Sequence, residues 1–226
     1  MEDPLRRDYL TKKKVGKRQR PKLSVTSETM LAGEVWGQDG YIERVRIDGG
    51  IITGSEEERL SFDDVRFKDV SFSSSELRAT EFVDVVFDTC DFSNVNFQNA
   101  VFHRCEFINS KLTGADFANA KIGHTLFNEC DGRYINFSFS GMKEIDFTKC
   151  NLMDGDFYEC GFKEVRFSIC KMDDINFSET DLNGVDLSDN TYKRIEVSLP
   201  KIAGCIVSQD QAIGFARVLG LTVKEE

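Results

Sequence analysis

Large apolar residues recur at every fifth position through most of this chain. From position 62 to position 187, 26 residue numbers leave a remainder of two on division by five, and they hold 17 Phe, five Leu, two Met, one Ile and one Gly. The residue two positions earlier is small, and Asp or Asn often stands between, as in "CDF" at 90–92. An amphipathic helix repeats at 3.6 residues and a half-buried strand at 2.0, so the pattern indicates neither. A fixed self-similar period predicts a repeat architecture.

The unit of small, Asp/Asn, Phe/Leu, polar and any residue resembles the repeat of pentapeptide-repeat proteins, and the resemblance spans residues 62–187. It implies an all-β fold, a right-handed quadrilateral parallel β-helix in which four pentapeptides form one 20-residue coil. The large and the small residue of each unit would point inward. Packing supports this fold, because one large and one small side chain fill a narrow tube without voids. Stacked coils would pair their backbones about 4.8 Å apart, as in any sheet.

A 20-residue coil also explains one outward column, which alternates acids with amides. Its members are Glu76, Asn96, Asp116, Asn136, Asp156 and Asn176. The alternation keeps carboxylates off adjacent coils, where at about 5 Å they would repel by roughly 1 kcal/mol even in water.

The single gap in the row of large residues is Gly132, and beside it Tyr134 and Phe139 are aromatic residues at outward positions. Two interpretations are open: a neighbouring ring fills the gap, or the two rings form an exposed contact for a partner, since aromatic residues favour interfaces. The phase does not slip here, so no residues are inserted.

The chain divides into four predicted segments. Residues 1–30 form a basic, flexible arm, either mobile or draped over the rod; 31–60 hold a first coil and an acidic loop; 61–207 form the β-helix; 208–226 form a C-terminal capping and dimerisation helix with its tail. Ser208 and Gln211 have the spacing of a capping box, and Gly220 is a natural helix end. Surplus apolar surface on this helix predicts a two-fold homodimer, with a monomeric cap as the alternative. The predicted dimerisation residues are Ile213, Phe215, Ala216 and Leu219.

The C-terminal pattern D-Q-A-x-x-x-A-x-x-x-G-L, from Asp210 to Leu221, resembles the end of the Qnr and MfpA group, pentapeptide-repeat proteins that protect DNA gyrase from quinolones. "DGRYINF" at 131–137 and "IVSQDQA" at 206–212 look most like the Gram-positive members. The resemblance implies dimerisation through the C-terminal helix and a type II topoisomerase as partner. The uninterrupted repeat of this chain departs from the Gram-negative Qnr pattern, in which projecting loops interrupt the repeat.

The seven cysteines all occupy the small inward position, which predicts buried free thiols that act as small hydrophobic residues. Zinc sites favour paired ligands such as C-x-x-C, and the sequence has none. His103 and His124 are at outward positions with no Ser, Cys or acid arranged as a relay around them. Because catalysis needs perturbed groups that converge in a cleft, we predict no catalytic residue, no metal, no cofactor and no enzyme activity.

Charge is divided between the two parts of the chain. Residues 1–22 hold nine Lys/Arg and three Asp/Glu, a net of +6, and the remaining 204 residues hold 20 and 36, a net of -16. No apolar run approaches the roughly 18 residues of a membrane helix, which predicts a cytoplasmic protein without a membrane partner. Residues 141–189 hold 12 acids and five bases. Six of these acids follow a large residue by two positions and are the predicted acidic partner-binding face: Glu144, Asp154, Glu159, Glu164, Asp174 and Glu179.

These features predict a DNA-mimicking protein that binds DNA gyrase or topoisomerase IV and confers quinolone resistance. About eight coils give a rod about 40 Å long, and duplex DNA of that length carries on the order of 23 charges. The alternative is a pentapeptide-repeat interaction scaffold with an unrelated protein partner, because an acidic surface also serves solubility. No direct nucleic-acid binding is expected, since the charge of the body opposes it.

Overall fold

A computed structural model describes residues 17–24, 28–37, 40–53, 60–218 and 220–224. It is a parallel β-solenoid of about eight turns followed by a C-terminal α-helix, as predicted. The strands of the described residues are β1 Glu28–Thr29, β2 Tyr41–Glu43, β3 Val45–Asp48, β4 Ser61–Lys68, β5 Glu81–Asp88, β6 Val101–His103, β7 Glu106–Ile108, β8 Lys121–Gly123, β9 Leu126–Asn128, β10 Gly141–Thr148, β11 Gly161–Ser168, β12 Ile175–Phe177 and β13 Ile195–Val197. Two 3-10 helices span Ala32–Gly37 and Leu199–Lys201, and the α-helix α1 spans Gln209–Val218.

Strands on successive coils are parallel with a register of 20 residues. Phe62 lies opposite Phe82, and Phe82 lies opposite Phe102. Each coil therefore has four sides of five residues, which we call walls. On two successive coils the large inward residues are Phe82 and Phe102 in the first wall, Phe87 and Phe107 in the second, Phe92 and Leu112 in the third, and Phe97 and Phe117 in the fourth. The first and second walls are strands, whereas the third and fourth are paired mostly by isolated bridges.

The interior is a column of phenylalanine rings. Around one full turn of the tube, from the third wall of one coil to the second wall of the next, four rings are in contact. The ring centroids of Phe92, Phe97, Phe102 and Phe107 are 5.6, 5.4 and 5.7 Å apart in order, and the centroids of Phe107 and Phe92 are 5.6 Å apart. All four are at most 1% exposed. Between coils the rings stack, as for Phe82 and Phe102 at 4.8 Å and 7°. Both distances lie in the favourable range for aromatic pairs, so the predicted lining is confirmed.

Each wall ends at a corner whose residue has a left-handed backbone. These residues stand two positions after the large residue and include Asp154 at φ 56° and Glu159 at φ 50°. The left-handed region costs most residues roughly 1–2 kcal/mol and costs Gly little. The corner residues of successive coils form four edges, each numbered after the wall it follows. The first edge carries Asp64, Asp84, Arg104, His124, Glu144 and Glu164; the third carries Tyr134, Asp154 and Asp174; the fourth carries Phe139, Glu159 and Glu179.

The N-terminal end of the tube is covered by the segment before the first coil. β1 pairs in parallel with β3, with Glu28 opposite Val45. The following 3-10 helix buries Val35 completely and Ala32 almost completely. The predicted acidic loop around Glu57 lies outside the described residues.

At the C-terminal end, hydrogen bonds fix α1 at both of its ends. Ser208 N–H donates to Gln211 Oε1 at 2.9 Å and Gln211 N–H donates to Ser208 Oγ at 3.3 Å, which confirms the predicted capping box. Gly220 has φ 77°, and Leu221 N–H donates to Ala216 O at 3.0 Å, which is the expected helix end. Among the described residues, no helix has the length and apolar character needed to cross a bilayer.

Candidate functional site

The six acidic residues predicted as a partner-binding face are divided among three edges. The pairs that share an edge are Glu144 with Glu164, Asp154 with Asp174, and Glu159 with Glu179. Residues five or ten positions apart lie on different corners of a square coil, so the six do not lie on one face. The third and fourth edges border the fourth wall, however, and four of the six acids therefore flank that wall.

The outward column of the fourth wall is a ladder of hydrogen-bonded acids and amides. The amide nitrogen of each Asn donates to the carboxylate one coil earlier: Asn96 to Glu76 at 2.8 Å, Asn136 to Asp116 at 2.9 Å and Asn176 to Asp156 at 2.9 Å. Side-chain oxygens in this column also accept hydrogen bonds from the backbone N–H two residues later, as Asp116 does from Ala118 at 2.9 Å. The alternation therefore does more than separate like charges, because each amide binds a carboxylate. These acids are half-buried and structurally engaged.

Three of the predicted acids are exposed and available to a partner: Asp154, Glu159 and Glu164. Within the described part of the chain, none of these three carboxylates has a hydrogen-bonded or ion-paired side chain. Asp174 and Glu179 are also exposed, but Arg194 Nε binds Asp174 Oδ1 at 2.5 Å and Ser198 Oγ donates to Glu179 Oε1 at 2.6 Å. Next to the fourth wall, the carboxylates without a side-chain hydrogen bond or ion pair in the described structure are therefore those of Asp154 and Glu159.

Glu144 differs from the other five because it is paired and mostly buried. Its Oε2 lies 2.8 Å from His124 Nδ1, and its side chain is 15% exposed. An acid that the sequence did not indicate therefore lies beside His124, and this outward-pointing histidine is only 6% exposed. Gln19 lies against the His124 ring, with its backbone nitrogen 3.4 Å from Nδ1 and its side-chain nitrogen 3.5 Å from Nε2.

Gln19 belongs to residues 17–24, which lie along the first edge and which we call the N-terminal strap. Of the two alternatives for the basic arm, this part is draped over the rod, and residues 1–16 lie outside the described residues. Arg18 Nη2 is 3.0 Å from Glu106 Oε1, and Arg18 Nε is 3.4 Å from Asp146 Oδ2. The strap thus neutralises part of the acidic surface.

Asp84 on the first edge is held between the Arg104 guanidinium and the backbone N–H of Lys22. Arg104 binds its two oxygens at 2.7 and 2.5 Å, and Lys22 N–H donates to it at 2.8 Å. Burial acts to raise the pKa of Asp84, but the Arg104 guanidinium and the Lys22 N–H together outweigh it and lower that pKa below its usual value. Asp84 is therefore a structural anion in the described structure.

The exposed rings beside Gly132 do not fill the gap that it leaves. Tyr134 is 61% and Phe139 is 52% exposed, so the interpretation of a ring tucked inside is wrong. A Cβ on Gly132 would meet Leu152 Cδ2 at 3.3 Å and Ile135 Cδ1 at 3.6 Å, which shows that these two side chains occupy the space. Phe139 instead packs edge-on against Tyr158 on the next coil, at 5.4 Å and 77°. That the rings contact a partner stays a prediction.

The thiols are buried and weakly acidic. All seven cysteines are free, and six are buried. Burial raises the pKa of Cys105 to about 12 and that of Cys160 to about 11, so both are protonated at neutral pH. Cys105 Sγ lies 3.4 Å from Phe82 O, one coil earlier. The thiols thus line the tube as small hydrophobic groups. Within the described ranges, no three His, Cys, Asp or Glu residues are placed to hold a metal ion.

A sequence profile of the pentapeptide repeat region matches residues 80–148 and 140–207, which together cover more than half of the chain. The chain belongs to the pentapeptide-repeat family. Among curated proteins, no relative matches it.

Solved structures of other pentapeptide-repeat proteins are also similar. QnrB1, a plasmid-mediated fluoroquinolone resistance protein, is 19% identical with a TM-score of 0.36 and covers 82% of this chain and 100% of its own. HetL, involved in heterocyst differentiation regulation in the cyanobacterium Nostoc sp. strain PCC 7120, is 12% identical with a TM-score of 0.34 and covers 78% and 90%. These values are too low to support an inference about function.

In this pentapeptide-repeat protein, three of the four predicted dimerisation residues lie on α1 and are only partly covered. Ile213, Phe215 and Ala216 are half-buried, and Leu219 lies outside the described residues. Phe215 lines a small cleft together with Tyr192 and Ile195 of the last coil. Dimerisation through this helix stays a prediction.

Proposed function

We propose that this pentapeptide-repeat protein binds a type II topoisomerase, DNA gyrase or topoisomerase IV, as a mimic of duplex DNA and thereby confers resistance to quinolones. The C-terminal helix supports the choice of target, because its pattern from Asp210 to Leu221 resembles that of the Qnr and MfpA group. The observation that carries the proposal is the row of exposed carboxylates beside the fourth wall, among which those of Asp154 and Glu159 form no side-chain hydrogen bond or ion pair within the described residues.

Charge density also supports mimicry. Residues 17–226, which include the strap bound on the rod, hold 36 acids and 24 bases, a net of -12, on a rod about 40 Å long. That is about one net charge per 3.3 Å, compared with one per about 1.7 Å in duplex DNA. A basic DNA-binding surface would attract such a rod, and added salt would weaken the attraction.

The test is gyrase supercoiling with and without the purified protein, each with and without a quinolone. We expect the wild-type chain to change supercoiling in at least one condition. The double variant D154K/E159K should need an about tenfold higher concentration for the same effect, because like charges would face the basic surface. The matched control is D69K/E81K, which makes the same change in net charge at two exposed residues away from the fourth wall.

Two outcomes count against the proposal. If the wild-type chain leaves supercoiling unchanged with and without the drug, the topoisomerase target is wrong, and the alternative of a scaffold for an unrelated partner stands. If both double variants lose activity equally, net charge alone acts and the fourth wall is not the contact surface.

A further inference from the structure

The path of the N-terminal strap matches the spacing of the coils. Its contacts on the first edge join, in order, Ser24 to Asp64, Lys22 to Asp84 and Gln19 to His124. Five residue steps along the strap, from Gln19 to Ser24, thus span three coil spacings, from His124 to Asp64. An extended chain rises about 3.3 Å per residue and coils are about 4.8 Å apart, which gives roughly 16 and 14 Å. A segment can therefore follow the edge only in an extended conformation.

Carboxylates on the edge bind the backbone of the strap. Lys22 N–H donates to Asp84 Oδ1 and Ser24 N–H donates to Asp64 Oδ1, both at 2.8 Å. Such bonds are strengthened by the charge of the acceptor and do not depend on the side chain of the bound residue. Pro21, just before Lys22, has no N–H to satisfy and restricts the preceding Arg20 to extended conformations.

The carboxylates that bind Arg18 make the site selective for a basic side chain. The guanidinium of Arg18 lies between Glu106 and Asp146, and its side chain is only 10% exposed. A charge buried to that degree requires paired groups, and the two carboxylates supply them. The first edge therefore supplies acceptors for a backbone, and the adjoining second wall supplies a subsite for a guanidinium group.

The strap also accounts for burial that the tube alone does not produce. Asp84 and His124, which the strap contacts, point outward, yet each is 6% exposed. Outward residues on other edges, such as Asp154 and Glu159, are exposed. The first edge is thus a filled groove.

We propose that the groove along the first edge binds an extended basic segment of a partner protein, and that the strap is a tethered occupant which such a segment displaces. A short tether gives an effective concentration in the millimolar range, so the strap masks the groove until a partner segment outcompetes it. This inference is independent of the topoisomerase proposal and is tested without any topoisomerase.

The probe is a fluorescein-labelled peptide, KRQRPKLS, with the sequence of residues 17–24. Its anisotropy is titrated with the full chain as wild type, Arg18→Glu and Arg20→Glu. Arg18→Glu repels Glu106 and Asp146 and loosens the strap, so we expect the peptide to bind it about tenfold or more tightly than wild type. Arg20→Glu makes the same charge change at an exposed residue with no side-chain partner in the described ranges, and it should behave as wild type.

Equal binding by all three chains would overturn the proposal. So would peptide binding to Arg18→Glu that persists after Glu106→Gln and Asp146→Asn are added, because the peptide would then bind elsewhere. A wild-type dimer that Arg18→Glu dissociates would mean that straps exchange between copies, and it would overturn the assignment to a partner protein.

Discussion

At the scale of single residues, the left-handed corner decides which side chains the rod displays and at what cost. Asn and Gly adopt this conformation with least strain, as at Asn94 and Gly114. Ile169, like Thr89, is a β-branched corner residue, and such a side chain is strongly disfavoured at its φ of 56°; Ile169 is also 61% exposed. Its packing therefore does not offset the strain.

Replacing Ile169 should stabilise the protein. We expect Ile169→Asn to raise the free energy of unfolding by about 1 kcal/mol, because Asn tolerates the left-handed region. Urea unfolding followed by circular dichroism measures the change. Ile51→Asn is the control, since Ile51 is 68% exposed but lies outside the left-handed region. An equal gain in both variants would attribute the effect to the loss of exposed apolar surface.

The five-residue period predicted the inward residues because packing inside the tube requires one large and one small side chain in every five residues. The same arithmetic implies that acids five residues apart lie on different edges, although the sequence alone suggested one acidic face. The left-handed corner left a signal in the recurrence of Asn and Gly, as at Asn99 and Asn119. The burial of His124 had no such signal, because it depends on a strap more than 100 residues away that has no periodicity.

At the scale of elements, α1 is held on the last coil mainly by one side chain. Gln211 Nε2 donates to Leu187 O at 3.0 Å and to Asn190 O at 2.9 Å, and its Oε1 accepts the Ser208 N–H. The helix thereby covers carbonyl groups that another coil would otherwise bind. A solenoid needs such an end, because its last repeat has no neighbour.

Removing this side chain should release the helix. We expect Gln211→Ala to destabilise α1 locally by about 2 kcal/mol, since three hydrogen bonds of about 1 kcal/mol each are lost and partly replaced by water. Hydrogen exchange of residues 209–218, measured by mass spectrometry, should accelerate while the tube stays protected. Gln209→Ala is the matched control, because Gln209 is exposed and forms no side-chain hydrogen bond within the described chain. Similar exchange in both variants would contradict the role of Gln211.

At the scale of the whole molecule, charge and length act together. The strap places basic residues on the first edge and leaves the fourth wall with its flanking acids uncovered. The first edge is therefore covered and carries basic residues, whereas the acids beside the fourth wall are exposed to solvent. A single rod of about 40 Å also offers only a short acidic surface, and joining two rods at their C-terminal ends would double it to about 80 Å.

The dimer through α1 gives the last prediction. We expect light scattering to report about twice the chain mass of 25.7 kDa for the wild type. Ile213→Glu should return the mass of one chain, because a charge would replace a half-buried apolar side chain at the two-fold contact, where it meets its own copy. Ala212→Glu adds the same charge at the neighbouring exposed position and should leave the dimer intact. A wild-type monomer, or equal dissociation by both variants, would make α1 a simple cap. If the dimer forms, the Ile213→Glu monomer should also need a higher concentration to affect gyrase supercoiling, because a monomer presents only half of the acidic surface of the dimer.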